Sequence, residues 1–265
     1  MQYEDLLLEK KDNIAVITFN VPRKLNALTR GLSKSIVQVC KDLAQDDDTR
    51  VVIVTGAGRG FCSGADVSML PGSSGTVTAT PKRFEQFEVI GPYGSTFPSL
   101  NKPIIAAVNG PCVGAGFSLA LSCDIRIASD EARFCVAQVN RGLVPDAGLT
   151  LFLPLVAGIS NAFELMYTAD IIDASRAKEM GIVSKVVPGA QLMETAMELA
   201  SRIAQKPPYS LELTKKMVWR GLMDKLTRQL DLESWAQRIC FTTEDHQASV
   251  QAFLNKQPPP EFRGR

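Results

Sequence analysis

The chain has 265 residues, with 29 Lys plus Arg, 28 Asp plus Glu and one histidine, for a net charge of +1. At 45% apolar and 22% charged residues it has a globular composition, long enough to bury a full core as one large or two small domains. The balanced charge gives no electrostatic footprint for nucleic acid, and the single histidine excludes histidine-rich zinc, non-haem iron and H-E-x-x-H chemistry.

The N-terminal MQYEDLLLEKKDN is acidic and has no long apolar segment, so no secretory or transit peptide is expected. Ile14–Phe19 is a β-rich apolar run. Leu32, Ile36, Val39, Cys40 and Leu43 recur at helical spacing and predict an amphipathic helix over 30–45, ended by Asp46-Asp47-Asp48. Residues 51–55 (VVIVT) form a short continuous apolar run, the pattern of a strand buried on both faces, and 104–108 and 125–128 repeat it. Residues 71–81 (PGSSGTVTATP) read as a mobile loop. The stretch 104–121 is as long as a membrane span, but Asn109, Gly110, Pro111, Gly114 and Gly116 interrupt it. It reads as a buried strand, a tight glycine turn and a buried helix.

A further strand is predicted over 183–187, and then the pattern becomes helical. Leu192, Ala196, Leu199, Ala200 and Ile203 form one apolar stripe; after Pro207-Pro208, helices are predicted over 210–223, 225–241 and 243–255. The organisation is thus an α/β core over 1–190 and a C-terminal helical region over 191–265. The six cysteines are scattered without a C-x-x-C pair, as expected for buried free thiols in a reducing, cytoplasmic setting.

Tempting motifs fail on inspection. Gly56-Ala57-Gly58-Arg59-Gly60 follows a strand, but Phe61 stands where a dinucleotide loop needs its third glycine, and no Gly-Lys-Ser/Thr follows. Gly116-Phe117-Ser118-Leu119-Ala120 half resembles a nucleophile elbow but lacks the final glycine. His246, in the polar stretch 242–247, reads as a surface residue at a helix start. Two other segments, Phe61-Cys62-Ser63-Gly64-Ala65-Asp66 and 109–116 (NGPCVGAG), are small-residue turns near buried strands. Such turns let a ligand approach the backbone, and unpaired N–H groups at a helix start point outward. Two of them aimed at one oxygen make an oxyanion hole; close packing of turns against strands is the alternative.

These segments, with Pro22-Arg23-Lys24-Leu25-Asn26-Ala27-Leu28, Ser122-Cys123-Asp124, Arg133-Phe134, 142–153 and Ala252-Phe253-Leu254-Asn255-Lys256, resemble the crotonase (enoyl-CoA hydratase/isomerase) family over nearly the whole chain. The resemblance implies a crotonase-like ββα superhelix with a C-terminal helical trimerisation region, assembled as a homotrimer or a dimer of trimers. It implies an acyl-CoA thioester substrate, with coenzyme A part of that substrate and no separate cofactor, metal, nucleic acid or membrane partner. The oxyanion amides carry over to Ala65 and Ala115, the latter following Gly114. Lys24 and the backbone around Ala27 match positions that hold CoA; Gly64, Ala65 and Asp66 match the turn beside adenine and pantetheine. Lys256 matches a CoA phosphate contact.

The two glutamates of family hydratases fall on Ser118 and Gln138, neither of which can serve as a carboxylate base. Asp146, in Pro145-Asp146, remains, and its surroundings resemble the ring-1,2-epoxyphenylacetyl-CoA isomerase subgroup. The resemblance therefore implies an isomerase with Asp146 as its one acid/base. Hydration of a conjugated or cyclic enoyl-CoA and non-catalytic acyl-CoA binding are the alternatives. A simpler role for Asp146 is the N-cap of a helix starting at Ala147.

Overall fold

A computed structural model describes residues 2–70 and 93–265. The chain starts with β1 (Leu6–Lys11) and β2 (Ile14–Phe19), an antiparallel hairpin. Its two-residue turn has Asp12 and Asn13 at φ 52° and 65°, which residues with short polar side chains tolerate. Helix α1 (Arg30–Ala44) follows, capped by the Thr29 hydroxyl accepting from the Leu32 N–H at 3.0 Å. Strand β3 (Val51–Gly56) is buried along its whole length.

The chain then coils in repeated turns. Beyond α2 (Tyr93–Ser99), β4 (Ile104–Val108) joins a large sheet, β5 (Pro111–Val113) a small one, and α3 (Ala115–Ser122) closes the turn. Next, β6 (Ile125–Ser129) and β7 (Arg133–Cys135) repeat the step, followed by α4 (Leu149–Ala157) and α5 (Ile159–Thr168). After β8 (Ile172–Asp173) and α6 (Ala174–Glu179), β9 (Lys185–Val187) completes the large sheet. The orders are β1-β2-β3-β4-β6-β9 and β5-β7-β8. From β2 to β9 the large sheet is parallel, and the alternation of strand, strand and helix makes a ββα spiral.

Both faces of that sheet are covered, which explains its unbroken apolar strands. Val51 and Ile53 point to one face with Ile105, Ala107 and Ile127, against Leu192, Ala196, Ala200 and Ala204 of α7 (Leu192–Ala204). Val52 and Val54 point to the other face, with Ile36, Val39 and Leu43 of α1. Thus α7, at the start of the 191–265 region, packs on the sheet of the core.

The sequence predicts two helices over 210–223 and 225–241; the structure has one, α8 (Pro208–Phe241), of 34 residues. No proline interrupts it after its first turn, and Gly221 is exposed with nothing within 4 Å of an added Cβ, so a single helical glycine is tolerated. An ion pair of buried Lys215 with half-buried Asp124 anchors α8 to the core: Lys215 Nζ lies 3.0 Å from Asp124 Oδ2, and the Trp219 indole N–H donates to Asp124 Oδ1 at 2.8 Å. Helix α9 (Glu244–Leu254) ends the described helices. The predicted strand over 183–187 is shorter, at Lys185–Val187. The loop predicted over 71–81 lies outside the described residues. Among the described residues, no helix is long and apolar enough to cross a membrane.

Candidate active site

The two small-residue turns meet. Past β3, Cys62 pairs with Cys112 of β5 in a parallel bridge, and the Val113 N–H donates to Cys62 O at 2.9 Å. Gly64 has φ +92°; a Cβ there would lie 2.8 Å from Val113 O and 3.4 Å from Ala115 N. Gly116 is pressed equally hard, with Cys62 O 2.3 Å from where its Cβ would be. The small side chains are therefore what allows the Ala65 and Ala115 turns to touch. The Ala115 N–H opens α3, and neither it nor the Ala65 N–H has a partner among the described residues. Ala65 is exposed and Ala115 buried, so the pair lies at the edge of the core.

Lys24 and Ala27 reach the same turn. The Leu28 N–H donates to Gly64 O at 2.8 Å, and the Ser63 hydroxyl donates to Lys24 O at 3.0 Å. Lys24 Nζ pairs with Asp66 Oδ2 at 2.7 Å. Partial burial works against the charge on Asp66, but hydrogen bonds from Lys24 and Ser68 hold its carboxyl below the ordinary value. Lys24, Ala27, Gly64 and Asp66 thus form one group. Lys256 is exposed two residues beyond α9, and α9 packs on the short 3₁₀ turn Val67–Met69 after Asp66. The glycines of 56–60 are held by side chains, with Asn26 Nδ2 donating to Gly60 O at 2.7 Å and Asn109 Nδ2 to Gly58 O at 2.9 Å.

On the other side of the Gly114–Ala115 turn, a Cβ on Gly114 would stand 3.7–3.8 Å from the Gln138 amide. Gln138 is 8% exposed; its Nε2 donates to Asp146 Oδ1 at 3.0 Å, while its Oε1 is buried without a partner. Gln237 of α8 donates to Asp146 Oδ2 at 3.1 Å and accepts from the Val144 N–H. Asp146 itself is half-buried. Burial raises its carboxyl above the ordinary value, and the two amide hydrogen bonds offset only part of that. Ser118 is fully buried on α3, and its hydroxyl donates to Ala147 O. It fixes the backbone next to Asp146.

Two expectations are corrected. Asp146 does not cap a helix at Ala147: α4 begins at Leu149 behind Gly148, without a side-chain cap of its own. Glu233 of α8 takes two N–H groups at this helix start, with Oε2 accepting from Gly148 N at 2.8 Å and Oε1 from Thr150 N at 3.1 Å. His246 is not at the surface. It is fully buried at the start of α9, with Nδ1 2.7 Å from Arg141 O and its ring against Phe241; the aromatic neighbour and carbonyl give it a better site than water.

Glu233 and Gln237 are the site residues that sequence reasoning misses. Their available signal was the spacing Leu226, Leu230, Glu233, Gln237, one seam of α8 in which two members are polar. Of the cysteines, five are buried and Cys240 is half-buried, all free. No cluster of metal-ligating side chains occurs among the described residues.

A ββα spiral followed by a helical C-terminal region defines the crotonase class of fold. The enoyl-CoA hydratase/isomerase family model matches residues 9–265, and the chain belongs to that family. It is 37% identical to a short-chain-enoyl-CoA hydratase of Clostridium acetobutylicum, with all of both chains covered. It is 35% identical to a 1,2-epoxyphenylacetyl-CoA isomerase of Escherichia coli, with 99% of each covered. Among solved structures, an enoyl-CoA hydratase/isomerase of Pseudoalteromonas atlantica superposes with a TM-score of 0.85 at 27% identity, covering 98% of this chain and 100% of that one.

Proposed function

We propose that this family member is an enoyl-CoA isomerase that works through a thioester enolate with Asp146 as its single acid/base. The observation that carries the reading is the contact of Asp146 with Gln138, which itself borders the Gly114–Ala115 turn. One carboxyl is thereby tied to the oxyanion amides, and the other hydratase positions hold Ser118 and Gln138. In the reaction, an Asp146 oxygen takes a proton from the carbon alpha to the thioester carbonyl. The electron pair moves onto the carbonyl oxygen, which the Ala65 and Ala115 N–H groups receive. The same carboxyl returns the proton at the gamma carbon, so one group serves both steps.

Lys24, Ala27, Gly64, Asp66 and Gly114, with Lys256, make up the proposed surface for coenzyme A, whose thioester is the substrate; the reading calls for no other cofactor. Exposed apolar side chains on α8, among them Leu232, Trp235 and Ile239, support self-association as a homotrimer or dimer of trimers. The free thiols suit a cytoplasmic enzyme.

The test is deuterium exchange at the alpha carbon of a saturated acyl-CoA in D₂O, with the product mass from a 3-enoyl-CoA measured separately in H₂O. Exchange with unchanged product mass is expected. Addition of one water would favour hydration, the second reading, which the hydratase among its relatives supports. No exchange would mark a binding protein.

A further inference from the structure

We propose that Glu233 is a positioning residue that holds the Asp146 loop in its reactive geometry from the C-terminal helix. The inference rests on the reading of Asp146 as the acid/base. The loop between Asp146 and α4 is unusual: Ala147 has φ 59° and Gly148 φ 86°. A non-glycine residue in that region persists when its surroundings over-determine it. Here they do so from two sides. Ser118 of α3 binds Ala147 O, and Glu233 of α8 takes the N–H of Gly148. Glu233 Oε1 also accepts from the Thr150 N–H and hydroxyl, and Gln229 donates to that hydroxyl at 2.7 Å.

Gln229, Glu233 and Gln237 form a stripe one turn apart on α8. They grip the loop at Thr150, Gly148 and the Asp146 carboxylate in turn. A cap alone does not call for a carboxylate in a core position that is 3% exposed, because burying its charge is costly. The Asp146 charge in turn influences how Glu233 titrates. Burial pushes the Glu233 carboxyl up to about 7, hydrogen bonds from Thr150 and Gly148 oppose this, and the Asp146 charge adds to it. Among the described residues α2 and α4 carry no charged side chain to face it. On α9, Glu244 pairs with Arg265, Asp245 accepts from Arg263 and Gly264, and His246 is bound to Arg141.

The experiment compares wild type, Glu233→Gln and Glu233→Ala as full chains, with a linear 3-enoyl-CoA as probe, measuring kcat and KM across pH. Glu233→Ala is expected to lower kcat by about 30-fold or more with KM within about threefold, since a small misplacement of the reacting group is costly. Glu233→Gln keeps one acceptor and loses less. Its KM stays near that of wild type, because the loop is still held and only the placement of Asp146 is loosened. A kcat within twofold of wild type in both variants, or a KM in Glu233→Gln that rises as much as kcat falls, overturns the proposal. If Glu233→Ala does not fold, the split between kcat and KM in Glu233→Gln decides. A wild type without isomerisation or alpha-carbon exchange would instead sink the reading of Asp146 beneath it.

Discussion

Gln237 Nε2 stands 3.1 Å from Asp146 Oδ2, joining two residues 91 positions apart in the chain. With Gln138 on the other oxygen, both carboxylate oxygens of Asp146 receive a neutral amide donor. The arrangement orients the carboxylate without the counter-charge that would pull its pKa down. Burial then dominates, leaving a base stronger than an ordinary aspartate.

The first prediction concerns that base. Asp146→Asn should lower alpha-proton exchange by about 10²–10⁴-fold while leaving CoA thioester affinity nearly unchanged. The fold should survive, because the Gln138 amide can rotate to offer its unpartnered Oε1 to the new Asn N–H. In wild type the base must be ionised. Its carboxyl is raised, so activity should fall as pH drops through a value above the ordinary carboxylate range. Exchange kinetics and calorimetry check both halves, and an Asn variant with most of its activity would remove Asp146 from the mechanism.

The second prediction concerns the oxyanion turns. Gly64→Ala places a Cβ 2.8 Å from Val113 O, at φ +92°, and must push the Ala65 and Ala115 turns apart. Losing one oxyanion donor costs about 10²–10³ in kcat, and a loss of that size is expected. Gly158→Ala is the control: it is strained in the same sense at φ +78°, with nothing within 4 Å. It should cost stability without touching turnover. Equal kcat losses in the two variants would show that general destabilisation, rather than the turn, is responsible.

The contrast between these two glycines also shows what was legible in the sequence. β3 and β4 were readable because both faces are buried, so that Val51–Val54 and Ile104–Val108 are unbroken apolar runs. The turn segments were readable because only small residues fit where Gly64 and Gly116 approach backbone oxygens. β5, β7 and β8 have two or three residues each, too few to show a period. His246 looked exposed because its sequence neighbours are polar, yet its ring faces Phe241. The second half of the site is built by tertiary contact. Gln237 and Glu233 reach back across about 90 residues to the Asp146 loop, and on α8 their polarity disguised the buried seam they share with Leu226 and Leu230.

Gln138→Glu would place a second carboxyl 3.0 Å from Asp146, where an amide N–H₂ now donates. Two carboxyls at that distance share a proton, and one pKa rises strongly. The acidic limb of the exchange rate should move to higher pH, and exchange near neutrality should fall by about tenfold for a limb shifted by one unit past the assay pH. Gln138→Met removes the donor without adding charge, so its limb should move less. Coincident profiles for the two variants would show that the amide, not the added charge, sets the base strength.

Glu233 also ties stability to pH. Its carboxyl sits near 7 in the folded chain, against about 4.3 when unperturbed. The folded state therefore holds this proton more tightly than the unfolded one. The stabilisation is complete below the unfolded value and is lost as pH rises through about 7, a change of about 3–4 kcal/mol for a shift of this size. Asp146, raised for the same reason, contributes a slope of the same sign. Glu233→Gln should remove its own part of the decline between pH 5 and 8 (about three units spanning the transition), leaving the part due to Asp146. Urea unfolding at a series of pH values measures this directly. If wild type and Glu233→Gln lose stability in parallel over that interval, Glu233 is already ionised in the folded chain, and its carboxylate is held by the Gly148 and Thr150 donors more strongly than burial opposes.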